Sequence, residues 1–547
     1  VVLTARDAFT LMFGWESLTL AFFLLAGYER TRQGRASGSL ITLAFGKVSG
    51  AALLVGLLLL ASHAGTLSLA GLARVSPGAL RSTAEVLLLL GFVIKVGLVP
   101  FQVWLPRGYA AAPGPTRAIM AGVAVNVGFY GLWRTLELFG PPPAAVTGVL
   151  LVLASLTAVL GIAHAAVQTR LQRVIAYSSV ENSGLILAGF GVALVGAASR
   201  DASLLAAGLL AATLQLVAHA AAKSLLFVAS AHLADDDLDG LRGTVRRTPW
   251  SGTGLAIGSL TLAGLPPTAG FVSEWFLLES LMQQFRVPGL GDRLVLAITG
   301  AAVALTAGFA GVTFVRLVGL VVLGRPWPGS KAPRTEYGLA GRAGIVLLSA
   351  GCLAMAAVTP LEIRVIAAGL APVTGPHAVL GALKSPWVLQ PVFADFSILS
   401  PSWLWLAMPA LFVIVAVVAW AASGRRLLRV REVRPWLSAT AGVQGRDSYT
   451  ASGFANPARR VLAAVLHTRT QVRRTQAGRD GSPQAAHIDY RSDVIEVVEE
   501  YLYRPLLRPF LAAARLAQRL QSGRLDAYLA YMLIALVAVL AVVTVLH

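Results

Sequence analysis

The chain has 547 residues, of which 56% are hydrophobic and only 13% charged, against about 25% charged in an average soluble protein. With a mean hydropathy of +0.71 it lacks the polar surface to cover itself in water, which excludes a string of soluble domains and calls for lipid around much of it. The net charge of +19 does not point to nucleic acid: the arginines sit in short loops and in segment 424–524, between apolar stretches, with no aromatic–basic recognition module, so the bilayer is the expected partner.

A spanning helix needs about 20 apolar residues. By that measure the sequence predicts spans at 7–27, 38–62, 83–105, 117–138, 144–168, 174–198, 203–232, 251–284, 293–323, 341–371, 402–423 and 525–547. The fold class is therefore an all-α polytopic membrane protein with about 12 transmembrane helices. Residues 1–27 are expected to be a span and not a signal peptide, because no basic region precedes the apolar run and Glu16 sits in its middle. Loops holding Arg30/Arg32/Arg35, Arg107/Arg117, Arg170/Arg173, Arg242/Arg246/Arg247 and Arg325/Lys331/Arg334/Arg342 alternate with loops poor in basic residues. The richer set, with 424–524, is assigned to the cytoplasm, which puts residue 1 and His547 outside.

Two spans are interrupted by proline, at Val96-Gly97-Leu98-Val99-Pro100 and at Gly264-Leu265-Pro266-Pro267. Proline removes a backbone hydrogen bond that lipid cannot replace, so such breaks face protein or a hydrated cavity. They fall in the third and eighth spans. Units of five spans, an odd number, place the second inverted relative to the first, so inverted five-helix repeats are expected, each with a proline-broken helix. Segment 424–524 is basic, with a loop-like middle around 470–486. Val494, Val497, Val498, Tyr501 and Leu502 open an amphipathic helix to Leu520, which either lies along the membrane or docks as a solvated tail on a partner.

The chemistry lies in which ions enter the spans. Of 45 basic residues only five are Lys, and three of these, Lys47, Lys95 and Lys223, lie inside apolar spans; of the arginines only Arg316 lies well inside one. Arg stays protonated, whereas a desolvated Lys can release its proton. Glu16, Glu181 and Glu274 also fall within spans. A charge at mid-bilayer costs at least about 2.5–3.5 kcal/mol, so these residues pair with one another or line a hydrated path. His219 and Lys223 are four apart on one helix face and suit a proton relay. One cysteine, Cys352, and eight His without HExxH spacing make no disulfide, four-thiolate cluster or zinc site. No metal, cofactor or catalytic centre is expected in this chain.

The strings His219-Ala-Ala-Ala-Lys223-Ser-Leu-Leu-Phe227, Arg173-Val-Ile-Ala-Tyr-Ser-Ser179, Gly264-Leu-Pro-Pro-Thr-Ala-Gly-Phe-Val-Ser-Glu274, and Lys95 followed by Val99-Pro100-Phe101-Gln102-Val103-Trp104-Leu105-Pro106 resemble the antiporter-like subunits of respiratory complex I. These are subunits L, M and N of NADH-quinone oxidoreductase, together with Mrp-type antiporters. Leu105-Pro106-Arg107, Ser178-Ser179-Val180-Glu181-Asn182, Phe271-Val272-Ser273-Glu274-Trp275 and Tyr449-Thr450-Ala451-Ser452-Gly453-Phe454 resemble its hydrogenase-4 component B and formate hydrogenlyase subunit 3 branch. The resemblance covers nearly the whole chain. It implies that Glu16 belongs to a fifth helix, with four helices upstream of residue 1, and that Lys95 pairs with Glu16. Lys223 then corresponds to the central lysine and Glu274 to the terminal carboxylate of a water-linked proton path.

On this basis the chain divides into 1–138, the remainder of the first repeat; 144–323, the second repeat; 324–423, additional spans; 424–524, a basic cytoplasmic segment; and 525–547, a last span. The expected pathway groups are Glu16, Lys47, Lys95, Glu181, His219, Lys223, Glu274 and Arg316, with helix breaks at Pro100, Pro266 and Pro267. The resemblance implies a proton-translocating subunit of a hydrogenase or formate hydrogenlyase-like oxidoreductase in the cell (inner) membrane. Other membrane subunits and hydrogenase-like peripheral subunits are its partners. Iron–sulfur clusters, a nickel–iron centre or quinone are expected only in those partners. A subunit of an NADH-quinone oxidoreductase or cation/proton antiporter complex, and a non-conducting membrane anchor, are the alternatives. Departures bear on the last: Gln172 and Asn126 stand where basic residues are expected, Arg117 replaces a Ser-like residue, and the tail lacks a Cys after Trp436.

Overall fold

The computed structural model describes residues 1–29, 34–233, 236–324, 336–385, 388–389, 401–423, 450–463, 465–475, 487–520 and 530–537. The first helix, α1 (Ala8–Ala26), is capped by Asp7, whose carboxylate accepts from the Thr10 amide at 2.8 Å. It leads to α2 (Arg35–Ala64) and α3 (Ala79–Val96). Beyond the first break come α4 (Trp104–Ala111) and α5 (Gly114–Ile119), which runs through a π turn at Met120–Ala124 into α6 (Asn126–Phe139).

The second half holds α7 (Ala144–Val167), α8 (Leu171–Ala198) and α9 (Ala202–Ser230). The half-helices α10 (Pro249–Leu262) and α11 (Ala269–Leu281) flank the second break, and α12 (Leu290–Leu317) follows. Then come α13 (Leu339–Ala357), α14 (Thr359–Thr374), a short hairpin of β1 (Leu383–Ser385) with β2 (Val388–Leu389), α15 (Pro401–Ala422) and α16 (Ala451–Val461).

Among the described residues nine helices are long and apolar enough to cross a membrane. The expected span 117–138 is the path α5–π turn–α6. The expected span 251–284 is the pair α10 and α11, each too short to cross alone, and 341–371 divides at Val358 into α13 and α14. The last expected span is described only at residues 530–537, which are helical; Arg30, Arg32, Arg325, Lys331, Arg334, Trp436, Tyr449 and the rest of 424–449 lie outside the described residues.

Helix α8 is the axis of the second half. It is buried along nearly all of its length and packs between α7 and α9. Small residues allow this in a membrane, where helix association depends on close backbone approach. A Cβ on Gly184 would lie 2.4 Å from the Ala158 backbone, one on Gly161 2.3 Å from the Glu181 amide, and one on Gly189 3.0 Å from that of Ala212. By contrast, α15 buries none of its apolar window, as a helix facing lipid or a partner would.

Residues 1–466 form one unit and 467–547 a second. In the second, β3 (His467–Thr475) pairs antiparallel with β4 (His487–Ile495), His467 opposite Ile495 and Thr475 opposite His487. A π turn at Glu499–Tyr503 leads into α17 (Arg504–Leu520). This corrects the loop-like reading of 470–486, whose described residues 470–475 are strand. Val494 is likewise in β4, so the amphipathic helix starts after it.

Candidate functional site

In the first half, Glu16 and Lys47 meet across α1 and α2, Lys47 Nζ to Glu16 Oε2 at 2.5 Å. A Cβ on Gly50 would fall 1.9 Å from Glu16 Oε1, so only glycine leaves room for that carboxylate; Gly46 makes the same room for Thr19. Lys95, near the end of α3, is 6% exposed and donates to Thr19 Oγ1 at 3.3 Å, with its Nζ 5.1 Å from the centre of the Trp15 ring. The direct partner of Glu16 is thus Lys47 and not Lys95. Lys95 instead meets α1 at Thr19, about one turn past Glu16. A cavity of about 20 Å³ adjoins Lys95, Thr19, Thr42 and Trp104, room for about one water molecule.

The second cluster is built on α8 and α9. Glu181 is fully buried, and neither carboxylate oxygen has a partner among the described residues. Lys223, also fully buried, donates to Ile175 O at 2.7 Å and to Ser178 Oγ, a carbonyl and a hydroxyl. His219 is 1% exposed with both ring nitrogens unpartnered, and feels the Lys223 charge. Glu181 feels both Lys223 and Glu274. Glu274 on α11 sits over the second break: a Cβ on Gly264, whose φ is +60°, would be 2.2 Å from Glu274 Oε2. Glycine meets both demands there, the left-handed backbone and the close approach. Among the described residues none of these groups is locked in a close ion pair, so each can answer a change of charge on its neighbour.

The breaks lie where the prolines put them, at cis Val99–Pro100 and cis Pro266–Pro267. Helix α3 ends at Gly97 in a left-handed conformation, freeing a carbonyl and an amide. Ser183 of α8 donates to Val96 O at 2.8 Å, and Thr157 of α7 accepts from the Val99 amide at 3.0 Å. Second-half helices therefore satisfy the first-half break. Polar contacts continue along α8: Asn182 donates to Ser178 O at 2.9 Å and accepts from Gln215 Nε2 at 2.9 Å. Lys95 thus stands one residue before a carbonyl tied to this row. Sequence reasoning passed over Ser183, Gln215 and Thr157, and quoted Asn182 only within a resemblance string, because uncharged polar residues in apolar helices read equally well as packing.

Arg316 plays a different part from that expected. Its Nη1 and Nη2 donate to Ala166 O at 2.8 Å and Gln168 O at 2.7 Å, and Arg459 of α16 donates to Val167 O at 3.2 Å. Two cations thus cap the last carbonyls of α7, where the helix dipole favours positive charge. A guanidinium does not give up its proton, so Arg316 positions α7 and is not itself a relay. The N-terminus of α16 is held in turn by Asp239, whose oxygens accept from the Ala451 amide at 3.1 and 3.0 Å. Asn126 donates to Gly122 O at 2.8 Å, Gln172 donates to Ser230 Oγ at 3.2 Å, and Arg117 donates to Ala112 O at 2.8 Å.

Comparison with known proteins places the chain in a family. The family described as NADH:quinone oxidoreductase/Mrp antiporter, transmembrane, matches residues 5–289, a span that holds every expected pathway group except Arg316. An uncharacterised protein of Mycobacterium tuberculosis is 34% identical over 542 residues, covering 97% of this chain and 83% of its own. Hydrogenase-4 component B of Escherichia coli is 28% identical over 552 residues, 96% of this chain and 78% of its own. Among solved structures, a chain of the membrane-bound sulfane sulfur reductase, an archaeal respiratory membrane complex, aligns with a TM-score of 0.70 at 21% identity over 99% of this chain and 81% of that one, a likeness of fold. The chain is a polytopic membrane protein that belongs to the NADH:quinone oxidoreductase/Mrp antiporter transmembrane family.

Proposed function

We propose that this chain is the proton-translocating, antiporter-like subunit of a hydrogenase or formate hydrogenlyase-like oxidoreductase related to complex I. Glu16, Lys47, Lys95, Lys223, His219, Glu181 and Glu274, with water between them, carry the proton. The observation that carries this reading is the fully buried Glu181 carboxylate, without a partner among the described residues and within electrostatic reach of Lys223 and Glu274. A purely structural carboxylate at that depth would be paired.

The likeness to hydrogenase-4 component B over 96% of the chain supports the choice of complex. Electron transfer, with its iron–sulfur clusters, nickel–iron centre or quinone, belongs to partner subunits: other membrane subunits and hydrogenase-like peripheral ones. The complex sits in the inner membrane with segment 424–524 in the cytoplasm. The test uses the assembled complex in vesicles, driven by its electron donor, with acidification read by a pH-sensitive dye. Glu181→Gln and Lys223→Ala are expected to cut proton flux at least about tenfold while the complex still assembles. Unchanged flux in both would leave the chain a non-conducting anchor.

A further inference from the structure

His164 of α7 is a buried titratable side chain that the path above does not use; it is 3% exposed. Its Nδ1 lies 2.9 Å from Leu160 O. A carbonyl only accepts, so this assigns the proton to Nδ1 and leaves Nε2 as a bare acceptor. That Nε2 is buried and has no partner among the described residues. A ring needed only for packing is better served by phenylalanine, which buries no lone pair.

Its surroundings give the idle nitrogen a use. The His164 ring stacks on Tyr177 of α8, centroids 5.0 Å apart and planes at 19°. Tyr177 is one turn from Glu181 on the same face of α8, and the Glu181 backbone packs on Gly161, one turn before His164 on α7. Lys223 binds Ile175 O and Ser178 Oγ, on the turn of α8 that carries Tyr177. Three residues past His164, α7 ends at the carbonyls held by Arg316 and Arg459. Along the α7–α8 seam the order is Glu181, then His164 beside Tyr177, then Arg173 in the first turn of α8 and Arg170 at its cap. Of the elements packed against α7, α8 brings Tyr177 and Glu181 to this stretch, α12 brings Arg316 and α16 brings Arg459.

We propose that His164 is a further proton-relay residue, linking Glu181 to the face of the membrane that carries Arg170 and Arg173; this rests on the proton-conducting reading above. Nε2 takes a proton from water on the loop side, the ring becomes an imidazolium, and the same nitrogen passes a proton on through water toward Glu181. Nδ1 keeps its proton throughout, so the ring returns to its starting tautomer. This supplies a titrating group near the end of α8 where Gln172 stands in place of an expected base.

The test again uses the assembled complex in vesicles, with flux normalised to complex and followed against pH, and Lys223→Ala alongside. His164→Gln is expected to retain assembly, lower flux at least about tenfold and remove one ionisation from the flux–pH profile. His164→Phe, which keeps the stack on Tyr177, is expected to do the same; if it does not assemble, His164→Gln decides. Flux within about twofold of the parent in the His164 variants, with Lys223→Ala inactive, would overturn the His164 assignment and leave the general reading intact. A fall by one constant factor at every pH would also overturn it, since that marks a structural role. Flux unchanged in both Lys223→Ala and Glu181→Gln sinks the general reading, and this one with it.

Discussion

Replacing Thr157 by valine removes one hydroxyl while keeping the shape of the side chain. That hydroxyl accepts from the Val99 amide at 3.0 Å and donates to Leu153 O at 2.5 Å. Thr157 is 0% exposed and Val99 7%, so no water replaces the lost bond. The Leu153 carbonyl keeps its place inside α7 and loses little. The Val99 amide is left as a buried orphan, which costs about 1–3 kcal/mol, offset in part by the added buried methyl, worth about 0.8 kcal/mol. The net expectation is a loss of up to about 2 kcal/mol, seen as a thermal midpoint on the order of 1–2 °C lower in detergent. Thr157→Ser, which keeps the hydroxyl, is the comparison and should lose less. Equal midpoints for the two variants would mean that methyl packing and not the hydrogen bond matters at this position, and the account of how the break is satisfied would be wrong.

Two further substitutions probe the close approaches. Gly50→Ala places a methyl where Glu16 Oε1 lies, 1.9 Å from the ideal Cβ, and must push the carboxylate off Lys47; a loss of about 1–3 kcal/mol and reduced proton flux are expected. Parental stability and flux in that variant would contradict the geometry. Arg459→Ala removes the donor to Val167 O and should destabilise the end of α7 by about 1–3 kcal/mol, read as faster amide exchange at both 165–168 and α16. Exchange unchanged in both segments would show that α16 does not hold α7.

Much of this arrangement could be read from the sequence because lipid restricts what a chain can do. Proline in an apolar run announces a break, and Pro100 and Pro266–Pro267 sit at the two interruptions found. Ions inside apolar runs announce groups that must be paired or used, and Glu16 and Lys47 do meet. What the sequence withheld was the partner choice: Glu16 contacts Lys47 because Gly50 opens α2 at that level, a matter of distance between helices. Arg316 read as one more intramembrane ion, and only its contacts with Ala166 and Gln168 reveal a helix cap. The β3–β4 hairpin was missed because Thr468-Arg469-Thr470-Gln471-Val472-Arg473-Arg474-Thr475 shows little apolar alternation, and that alternation is how a strand makes itself known.

The bonds from Ser183 to Val96 and from Val99 to Thr157 bear on how such a chain can move. An unwound stretch in a helix is ordinarily a joint, and transporters that expose their site alternately to each side bend at such places. Here both loose ends of the joint in one half are fastened to helices of the other. Swinging one half past the other would bare two buried backbone groups, at roughly 1–3 kcal/mol apiece, on every cycle. Shifts of side chains, water and charge carry no such penalty. The fastening therefore favours a stationary frame, through which protons pass while the helices stay in place.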